Sequence, residues 1–210
     1  MTRYEVYYSR STGFGEPART LLEYAGAEWS DKHPENWETE KHLTPYGKLP
    51  VLIEHGDDGK VVEIVESDAI YRYLARKFGL YGQDIQEDVQ QDTIISQWKD
   101  VLAPAFLTIQ NNEHVKQYGT EKAKEASQHL FEKHGELLKK NGTGHYVGNR
   151  TTLADIFAYS WLKTLKKIGI VGESFPHQED FDHFEATLAS DPKFKRYLDR
   201  AEVRCANYKF

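Results

Sequence analysis

The chain has 210 residues, enough for one large or two small domains. Aromatic residues make up 13% of the sequence, a proportion that supports packed cores rather than disorder. The 27 basic and 33 acidic residues give a net charge of −6 and are mixed along the chain, which argues against a nucleic-acid-binding surface. Because Cys205 is the only cysteine, no internal disulfide can form.

The sequence predicts no targeting or membrane-spanning segment. No apolar stretch follows Met1, and no apolar run approaches the ~20 residues of a membrane span. We therefore expect a cytoplasmic protein that does not act at a membrane. The nine histidines have no cysteine partners and no i, i+4 pair, so we also expect no metal site.

The first 79 residues predict an α/β domain with a small mixed sheet. Runs rich in β-forming residues predict strands at 3–8, 28–33, 51–54 and 61–64. Helices are predicted after Pro17, in the polar segment PENWETEKHL and from Ser67 to Gly79. The helix after Pro17 and the helix from Ser67 to Gly79 each carry an apolar face. We therefore expect both to pack on the sheet.

After a linker at 80–86 the pattern becomes helical, and no convincing strand follows. Apolar residues at helical spacing mark one long helix near 94–105, which Pro104 should bend. Further helices are predicted at 121–140, at 153–167 and, as two shorter elements, between 178 and 199. The segment TLAD, residues 152–155, predicts a structural capping box. We therefore predict an all-helical domain at 87–210, and the fold class is α/β plus all-α.

The segment YGKLPVL, residues 46–52, places Pro50 at the start of a predicted strand. Proline lacks the N–H donor that a central strand needs. One interpretation is that Pro50 only ends the loop and begins the strand. The other is a cis Leu49–Pro50 bond, which would turn the chain sharply and leave the backbone groups of Leu49 facing outwards.

Four segments in order resemble the cytosolic glutathione transferases over essentially the whole chain. YEVYYSRSTGFGEPARTLLEYAG resembles that family's first strand, catalytic loop and first helix, and PYGKLPVL resembles its cis-proline strand start. VESDAIYRYLARKFGLYG is similar to its γ-glutamyl motif and third helix, and GNRTTLADI to the buried capping box of its second domain. The tyrosine-type classes fit best, and the sigma class fits closest.

The resemblance implies a thioredoxin-like glutathione-binding domain at 1–79, a helical domain carrying much of the electrophile pocket, and a homodimer. It implies glutathione as a co-substrate and no further cofactor. The expected activity is conjugation of the glutathione thiolate to hydrophobic electrophiles, as in detoxification. The alternatives are a sigma-type isomerase or peroxidase activity, or a non-catalytic ligand-binding or structural relative.

Several hydroxyl groups follow one another at the end of the first strand. Alternation places Tyr7 and Tyr8 on opposite faces of the sheet. The family's tyrosine motif matches Tyr8, whose hydroxyl would donate a hydrogen bond to the glutathione sulfur and lower the pKa of the thiol. Ser9 and Ser11 are alternatives, because some classes use a serine further along this loop.

Eight further positions correspond to the family's glutathione site, and at one of them Glu66 stands where the sigma pattern usually has glutamine. Ser67 begins a helix, so its hydroxyl and the first-turn N–H groups would bind the γ-glutamyl carboxylate, with an ordinary N-cap as the alternative. Leu49 would pair its backbone with the cysteinyl residue as one strand pairs with another. The remaining expected contacts are Trp37, Lys41 and Lys48 to the glycyl carboxylate, Glu66 to the γ-glutamyl ammonium, Pro50 at the start of the strand, and Asp92 to the same ammonium across the dimer.

The loop also departs from the sigma pattern, because Phe14 stands where that pattern has an arginine near the thiol. Phe14 is predicted to line the electrophile pocket, and the missing arginine weighs against isomerase activity. The other expected pocket residues are Leu102, Phe106, Phe157, Trp161 and either Tyr208 or Phe210, each with buried core as the alternative. Tyr46 resembles the aromatic residue that plugs a pocket on the other subunit, with packing over its own domain as the alternative.

Overall fold

The computed structural model describes residues 1–206 and 208, which form two compact units. The first unit contains Met1–Leu80 together with the residues from Asp191 onward, and the second contains Tyr81–Ser190. Phe210 lies outside the described residues. The predicted fold class, a thioredoxin-like domain followed by helices, is confirmed.

A four-stranded sheet organises the first unit. Its strands are β1 (Arg3–Tyr7), β2 (Glu28–Lys32), β3 (Val51–His55) and β4 (Val61–Val65). The strand order is β2-β1-β3-β4, in which β1 runs parallel to β2 and antiparallel to β3, and β3 runs antiparallel to β4. All four predicted strands are present, each within one residue of its predicted end.

Helices make up most of the remaining described chain. They are α1 (Glu16–Ala25), α2 (Trp37–Glu40), α3 (Ser67–Lys77), α4 (Ile85–Ala105), α5 (Glu113–Asn141), α6 (Leu153–Lys167), α7 (Gln178–Ser190) and α8 (Pro192–Cys205). Pro17 lies in the first turn of α1, and Gly26 ends that helix in the left-handed conformation, with a φ of 67° that favours glycine. The chain between these two residues is buried as far as Tyr24.

The C-terminal helix α8 belongs to the first unit. Hydrogen bonds join its segment to α1: Tyr24 donates to Asp191 at 2.6 Å, Tyr197 and Arg204 donate to Glu16 at 3.1 and 2.5 Å, and Arg200 donates to Glu23 at 2.8 Å. Because α1 is buried, its carboxylates need such partners. The grouping differs from the predicted domain at 87–210, since an amphipathic pattern shows that one face is buried but not what covers it.

The second unit contains the helices α4 to α7. Pro104 lies in the last turn of α4, and a 3-10 turn follows from Phe106 to Ile109. The helix predicted at 121–140 is longer, because α5 starts at Glu113. The capping box at the start of α6 is confirmed, with Asp155 in the position that the sequence predicted. No helix in the described chain is long and apolar enough to cross a membrane.

Candidate active site

A small pocket opens in the first unit beside the start of β3. The Leu49–Pro50 peptide bond there is cis, as the second interpretation of Pro50 required. The pocket has a volume of about 210 Å³, and sites that enclose a whole drug-sized ligand measure roughly 300–1,000 Å³. It therefore fits part of a tripeptide rather than all of it. The lining residues are Phe14, Tyr46, Lys48, Leu49, Pro50, Val65, Glu66 and Ser67.

The N-terminus of α3 forms one side of this pocket. Ser67 is the first residue of α3 and lines the pocket next to Glu66. The first-turn N–H groups of a helix have no partner within the helix, and the helix dipole is positive at this end, so a carboxylate is favoured here. Glu66 has a φ of 64°, which is unusual for a residue other than glycine. Backbone strain of this kind is concentrated at ligand sites.

The hydroxyl of Tyr8 lies against the loop that carries Phe14, one of the residues that line the pocket. Tyr8 directly follows β1, and its hydroxyl oxygen accepts the N–H of Phe14 at 3.1 Å. The carbonyl of Phe14 accepts a hydrogen bond from the hydroxyl of Tyr71, so this loop residue is held on both sides. Because the amide uses a lone pair of the Tyr8 oxygen, the phenolic hydrogen can be donated to another acceptor.

The environment of Tyr8 favours the protonated phenol. Burial raises the pKa of Tyr8 above its ordinary value, while the N–H of Phe14 and the guanidinium of Arg19 partly oppose that rise. A phenol that stays protonated at neutral pH can donate a hydrogen bond to a thiolate. The hydroxyls of Ser9 and Ser11 also lower the pKa of Tyr8, and these two hydroxyls bond each other at 2.8 Å.

Two glycines make room for Tyr8. A Cβ atom on Gly15 would lie 2.5 Å from Cδ1 of Tyr8, and one on Gly13 would lie 2.6 Å from the hydroxyl oxygen. Contacts this short would force the tyrosine to move, and Gly13 also has a φ of 39° that favours glycine. The sequence pattern did not predict this close approach, although the two glycines around Phe14 were visible just before a helix.

Tyr7 and Tyr8 have different partners, as the alternation predicted. The hydroxyl of Tyr7 donates to Glu40 on α2 at 2.7 Å. Burial and the Glu40 carboxylate raise the pKa of Tyr7 to about 12. The hydroxyl of Tyr7 is therefore engaged with α2, whereas that of Tyr8 bonds the backbone of Phe14, a residue that lines the pocket.

The structure brings together some of the predicted glutathione-site residues but not others. Lys48, Leu49, Pro50, Glu66 and Ser67 all line the pocket. Trp37 is half-buried on α2, and the exposed Lys41 pairs with Glu38 at 3.0 Å, and neither of the two lines this pocket. Asp92 lies on α4 in the second unit, where it accepts the hydroxyl of Tyr81 at 2.6 Å.

Most residues predicted for the electrophile pocket lie in the second unit. Leu102, Phe157 and Trp161 are at most 3% exposed there. Phe106 is half-buried, and its ring meets Trp161 edge-on at a centroid distance of 5.9 Å. Packing in the helical core explains the burial of Leu102, Phe157 and Trp161. The role of all four side chains in a substrate pocket stays a prediction.

Three of the other predicted residues lie in the first unit. Phe14 and Tyr46 both line the pocket, and Tyr46 is 67% exposed. Tyr208 donates its hydroxyl to Asp31, the penultimate residue of β2, and its ring meets His33 edge-on at 6.0 Å. The structure therefore gives Tyr208 partners that the sequence did not predict.

A second cleft lies outside this pocket, and the described residues form no metal-binding cluster. Within residues 1–206 and 208, no group of three or more His, Cys, Asp or Glu side chains is arranged to hold a metal ion. A cleft of about 640 Å³ lies beside α8 and is lined in part by Trp29, Arg200 and Arg204. Arg200 pairs with Glu23, and Arg204 pairs with Glu16. The two arginine charges in this cleft are therefore already matched.

Arg19 and Tyr71 are residues near Tyr8 that the sequence analysis missed. Tyr71 is buried on α3 and reaches the loop through Phe14. Arg19 is completely buried on α1, and its guanidinium carbon lies 5.6 Å from the centre of the Tyr8 ring. The available signal for Arg19 was an arginine next to the apolar face of a helix, a position where a charge needs a specific partner.

Known proteins match both halves of the chain. The glutathione S-transferase N-terminal domain family matches residues 3–76, and the C-terminal domain family matches residues 98–201. Glutathione S-transferase 3 of Caenorhabditis elegans is 30% identical over 97% of this chain and 100% of that protein. A sigma class glutathione S-transferase structure of Fasciola hepatica is 28% identical, with a TM-score of 0.82 over 95% of this chain and 96% of that one. A structure of prostaglandin synthase D of Nilaparvata lugens is 29% identical, with a TM-score of 0.77 over 94% and 98%.

Fold, pocket and relatives agree on one class of protein, an enzyme that uses glutathione. The chain belongs to the cytosolic glutathione S-transferases and is most similar to the sigma class, as predicted. It is a glutathione S-transferase, and glutathione is the ligand that membership in this family leads us to expect.

Proposed function

We propose that Tyr8 activates glutathione by donating a hydrogen bond to its sulfur, and that the resulting thiolate attacks hydrophobic electrophiles. The observation that carries this proposal is the bond from the Phe14 N–H to the Tyr8 oxygen at 3.1 Å. This bond leaves the phenolic hydrogen available for the ligand, beside Phe14, which lines the pocket. A free thiol has a pKa of about 8.5, so lowering the pKa by ~2 units requires roughly 2.7 kcal/mol. One or two charge-assisted hydrogen bonds supply that much.

The proposed pose of glutathione follows the polar groups of the pocket. The γ-glutamyl carboxylate binds the N-terminus of α3 at Ser67, and Glu66 receives the ammonium group. The backbone of Leu49 pairs with the cysteinyl residue. Trp37, Lys41 and Lys48 contact the glycyl carboxylate. The exposed Lys41–Glu38 pair opposes this last step only weakly, because surface ion pairs contribute at most ~1 kcal/mol.

The experiment is an ultraviolet titration of the thiolate of bound glutathione against pH. We expect the parent protein to lower the thiol pKa by about 2 units and Tyr8→Phe to return it towards about 8.5. Tyr7→Phe is the matched control, because its hydroxyl bonds Glu40 instead, and it should leave the thiol pKa unchanged. A thiol pKa near 8.5 in the parent would mark a binding or structural relative. Depression that survives in Tyr8→Phe would move the role to Ser9 or Ser11.

We further propose that the enzyme is a homodimer. Tyr46 exposes 67% of its surface beside the pocket, which suits a residue that inserts into a partner subunit. Asp92 would reach the γ-glutamyl ammonium bound to the other subunit. Analytical ultracentrifugation should give a dimer for the parent and a weaker one for Tyr46→Ala, with Tyr118→Ala as an exposed tyrosine control on α5. A monomeric parent would overturn this assignment.

For the second substrate we propose hydrophobic electrophiles, with Phe14 as one wall of their site. We also propose that the enzyme acts in the cytoplasm and needs no cofactor besides its co-substrate glutathione. Leu102, Phe106, Phe157, Trp161 and Tyr208 complete the proposed electrophile site. The second candidate is an isomerase, which the similarity to a structure named prostaglandin synthase D favours. Parallel assays with an aryl halide and with a prostaglandin endoperoxide distinguish the two candidates. Conjugation without isomerisation is expected, since Phe14 supplies no charge next to the sulfur.

A further inference from the structure

Arg19 is a fully buried cation on α1 with four acceptors. Its Nε donates to Asp31 at 2.9 Å, and its terminal nitrogens donate to the carbonyls of Ser11 at 2.7 Å and Ser9 at 3.2 Å. A fourth, longer contact reaches Glu16 at 3.3 Å. A buried charge is costly unless it is paired and hydrogen-bonded, so these acceptors fix the guanidinium firmly.

Two of these acceptors belong to the loop that directly follows Tyr8. The carbonyls of Ser9 and Ser11 both point to one guanidinium group, which closes the turn between them. The same guanidinium lies 5.6 Å from the centre of the Tyr8 ring, within the range of a cation–π contact. Arg19 therefore touches both the loop backbone and the ring whose hydroxyl receives the Phe14 N–H.

The ring of Tyr208 also lies close to Arg19. The centre of its ring lies 5.1 Å from the guanidinium carbon. Its hydroxyl donates to Oδ2 of Asp31, while Oδ1 of the same carboxylate accepts from Arg19. His33 stands against Tyr208 and lies 3.6 Å from Asp31. The guanidinium thus lies within cation–π distance of two tyrosine rings, those of Tyr8 and Tyr208.

We propose that Arg19 is a positioning residue for thiol activation, holding the Ser9–Ser11 turn and the Tyr8 ring so that the Tyr8 hydroxyl stays on the Phe14 N–H. Tyr208 is the second positioning residue, because it holds Asp31 and through it Arg19. The inference rests on the proposed function of Tyr8. It extends that function by making the catalytic geometry depend on a residue beyond the end of α8.

The chemistry of arginine explains why lysine cannot replace it here. The planar guanidinium places several N–H donors in a fixed fork, whereas an ammonium group is a single point charge on a flexible stem. Arg19→Lys therefore keeps the positive charge near Tyr8 but cannot bridge both carbonyls and Asp31. A merely electrostatic role would survive this change, and a positioning role would not.

The experiment compares Arg19→Lys and Tyr208→Phe with a matched control, Tyr24→Phe. Tyr24 also donates its hydroxyl to an aspartate, Asp191, at 2.6 Å, and so also fastens the C-terminal segment to α1. The first readout is the hydrogen-exchange rate of the Phe14 amide by nuclear magnetic resonance, in protein without ligand. The second is the pKa of the bound glutathione thiol, measured by its thiolate absorbance.

We expect Arg19→Lys to speed Phe14 amide exchange about tenfold and to raise the bound-thiol pKa by about one unit, a tenfold change in the ionisation constant. Tyr208→Phe should speed Phe14 amide exchange about threefold and raise the bound-thiol pKa by about half a unit, because the ring stays and only its hydrogen bond is lost. The apparent KM for glutathione should change little in either variant, with the loss in kcat. Tyr24→Phe should leave both readouts unchanged.

Unchanged Phe14 exchange and unchanged thiol pKa in Tyr208→Phe and Arg19→Lys would overturn the proposal and leave both residues with a structural role. If Arg19→Lys does not fold, Tyr208→Phe decides. Failure of the proposed function gives a different result, since the thiol pKa would then be insensitive to Tyr8→Phe. Phe14 exchange measured without ligand still reports whether Arg19 and Tyr208 hold the loop.

Discussion

Arg19 in the first unit and Asp155 in the second are both completely buried, yet their hydrogen-bond partners are distributed differently over the chain. Asp155 accepts from the N–H of Tyr146, the N–H of Thr152 and the hydroxyl of Thr152, each at 2.8 Å. Every one of these partners lies within nine residues in the sequence. The partners of Arg19 extend from Ser9 to Asp31, and Tyr208 covers the group from the far end of the chain.

The difference separates two uses of a buried charge. A charge satisfied by near neighbours, such as Asp155, stabilises one local segment and fixes the start of one helix. A charge whose partners lie on separate elements, as Arg19 bonds the loop after Tyr8 and β2 and lies near Tyr208, aligns those elements with one another. Damage to the first kind should appear mainly as lost stability, and damage to the second mainly as lost catalytic geometry.

The largest expected effect is on stability, in Asp155→Ala. The substitution leaves the buried N–H groups of Tyr146 and Thr152 without their acceptor, so we expect a loss of about 4 kcal/mol in the free energy of unfolding. Asp84→Ala is the control, because Asp84 caps α4 at an exposed position and should cost about 1 kcal/mol. Urea denaturation measures both values. Equal losses of unfolding free energy in the two variants would show that the buried hydrogen bonds of Asp155 contribute no more than an exposed helix cap.

A second prediction concerns the pH dependence of the second unit. His134 contacts Tyr146 and Gln97, at 3.1 and 2.8 Å, and burial lowers the pKa of His134 from its ordinary 6.5 to about 4. As the pH falls from 6.5 towards 4, the unfolded chain takes up a proton that the folded chain refuses, so stability decreases by about 3 kcal/mol over this range. Above pH 6.5 this contribution is constant.

Urea denaturation at several pH values, in the parent and in His134→Gln, checks this prediction. In His134→Gln, the free energy of unfolding should fall by about 3 kcal/mol less between pH 6.5 and 4 than in the parent. In His114→Gln, at an exposed position on α5, it should fall as in the parent. Parallel slopes for the parent and His134→Gln would show that other groups carry the acid sensitivity.

Gly15→Ala should cost about 2 kcal/mol in stability and lower kcat/KM more than about tenfold. The added methyl would lie 2.5 Å from Cδ1 of Tyr8 and would displace the ring from the loop. Gly172→Ala is the control, because a methyl group there would have no neighbouring atom closer than 3.9 Å. Steady-state kinetics with an aryl halide measure the effect. Wild-type kinetics in Gly15→Ala would mean that Tyr8 can shift without loss of activity.

The smallest expected effect is that of Tyr24→Phe, about 1 kcal/mol in stability with no change in kcat/KM. Its bond to Asp191 fastens the C-terminal segment but involves neither carbonyl that Arg19 holds. Thermal unfolding and a kinetic assay, run beside exposed Tyr118→Phe, measure the two quantities. A loss of activity here would mean that any loosening of α8 disturbs catalysis, and the contrast between the two kinds of buried charge would weaken.

The sequence predicted those features whose causes are local. Alternation located the strands and separated Tyr7 from Tyr8, and the cap-forming pattern located Asp155 at the start of α6. The cis bond at Pro50 was favoured only because the other segments supported it. These features depend on residues a few positions apart, and such spacings can be read directly.

Long-range partners could not be predicted in the same way. The pattern of α8 indicated a helix, but its packing against α1 depends on carboxylates such as Glu16 and Glu23, almost two hundred residues earlier. Arg19 gave no periodic signal, since its acceptors are two backbone carbonyls, Asp31 and Glu16. The space that Gly13 and Gly15 leave for Tyr8 is likewise a three-dimensional property.

The packing of α8 on α1 also has a consequence for how the chain is synthesised. Domains generally fold as units, and N-terminal segments emerge from the ribosome first. Here β1 and α1 emerge early, but Arg200 and Tyr208, which pair with Glu23 and Asp31, emerge after the whole second unit. The first unit is therefore begun before the second but completed after it, and the carboxylates of Glu23 and Asp31 lack these partners until the second unit has been made.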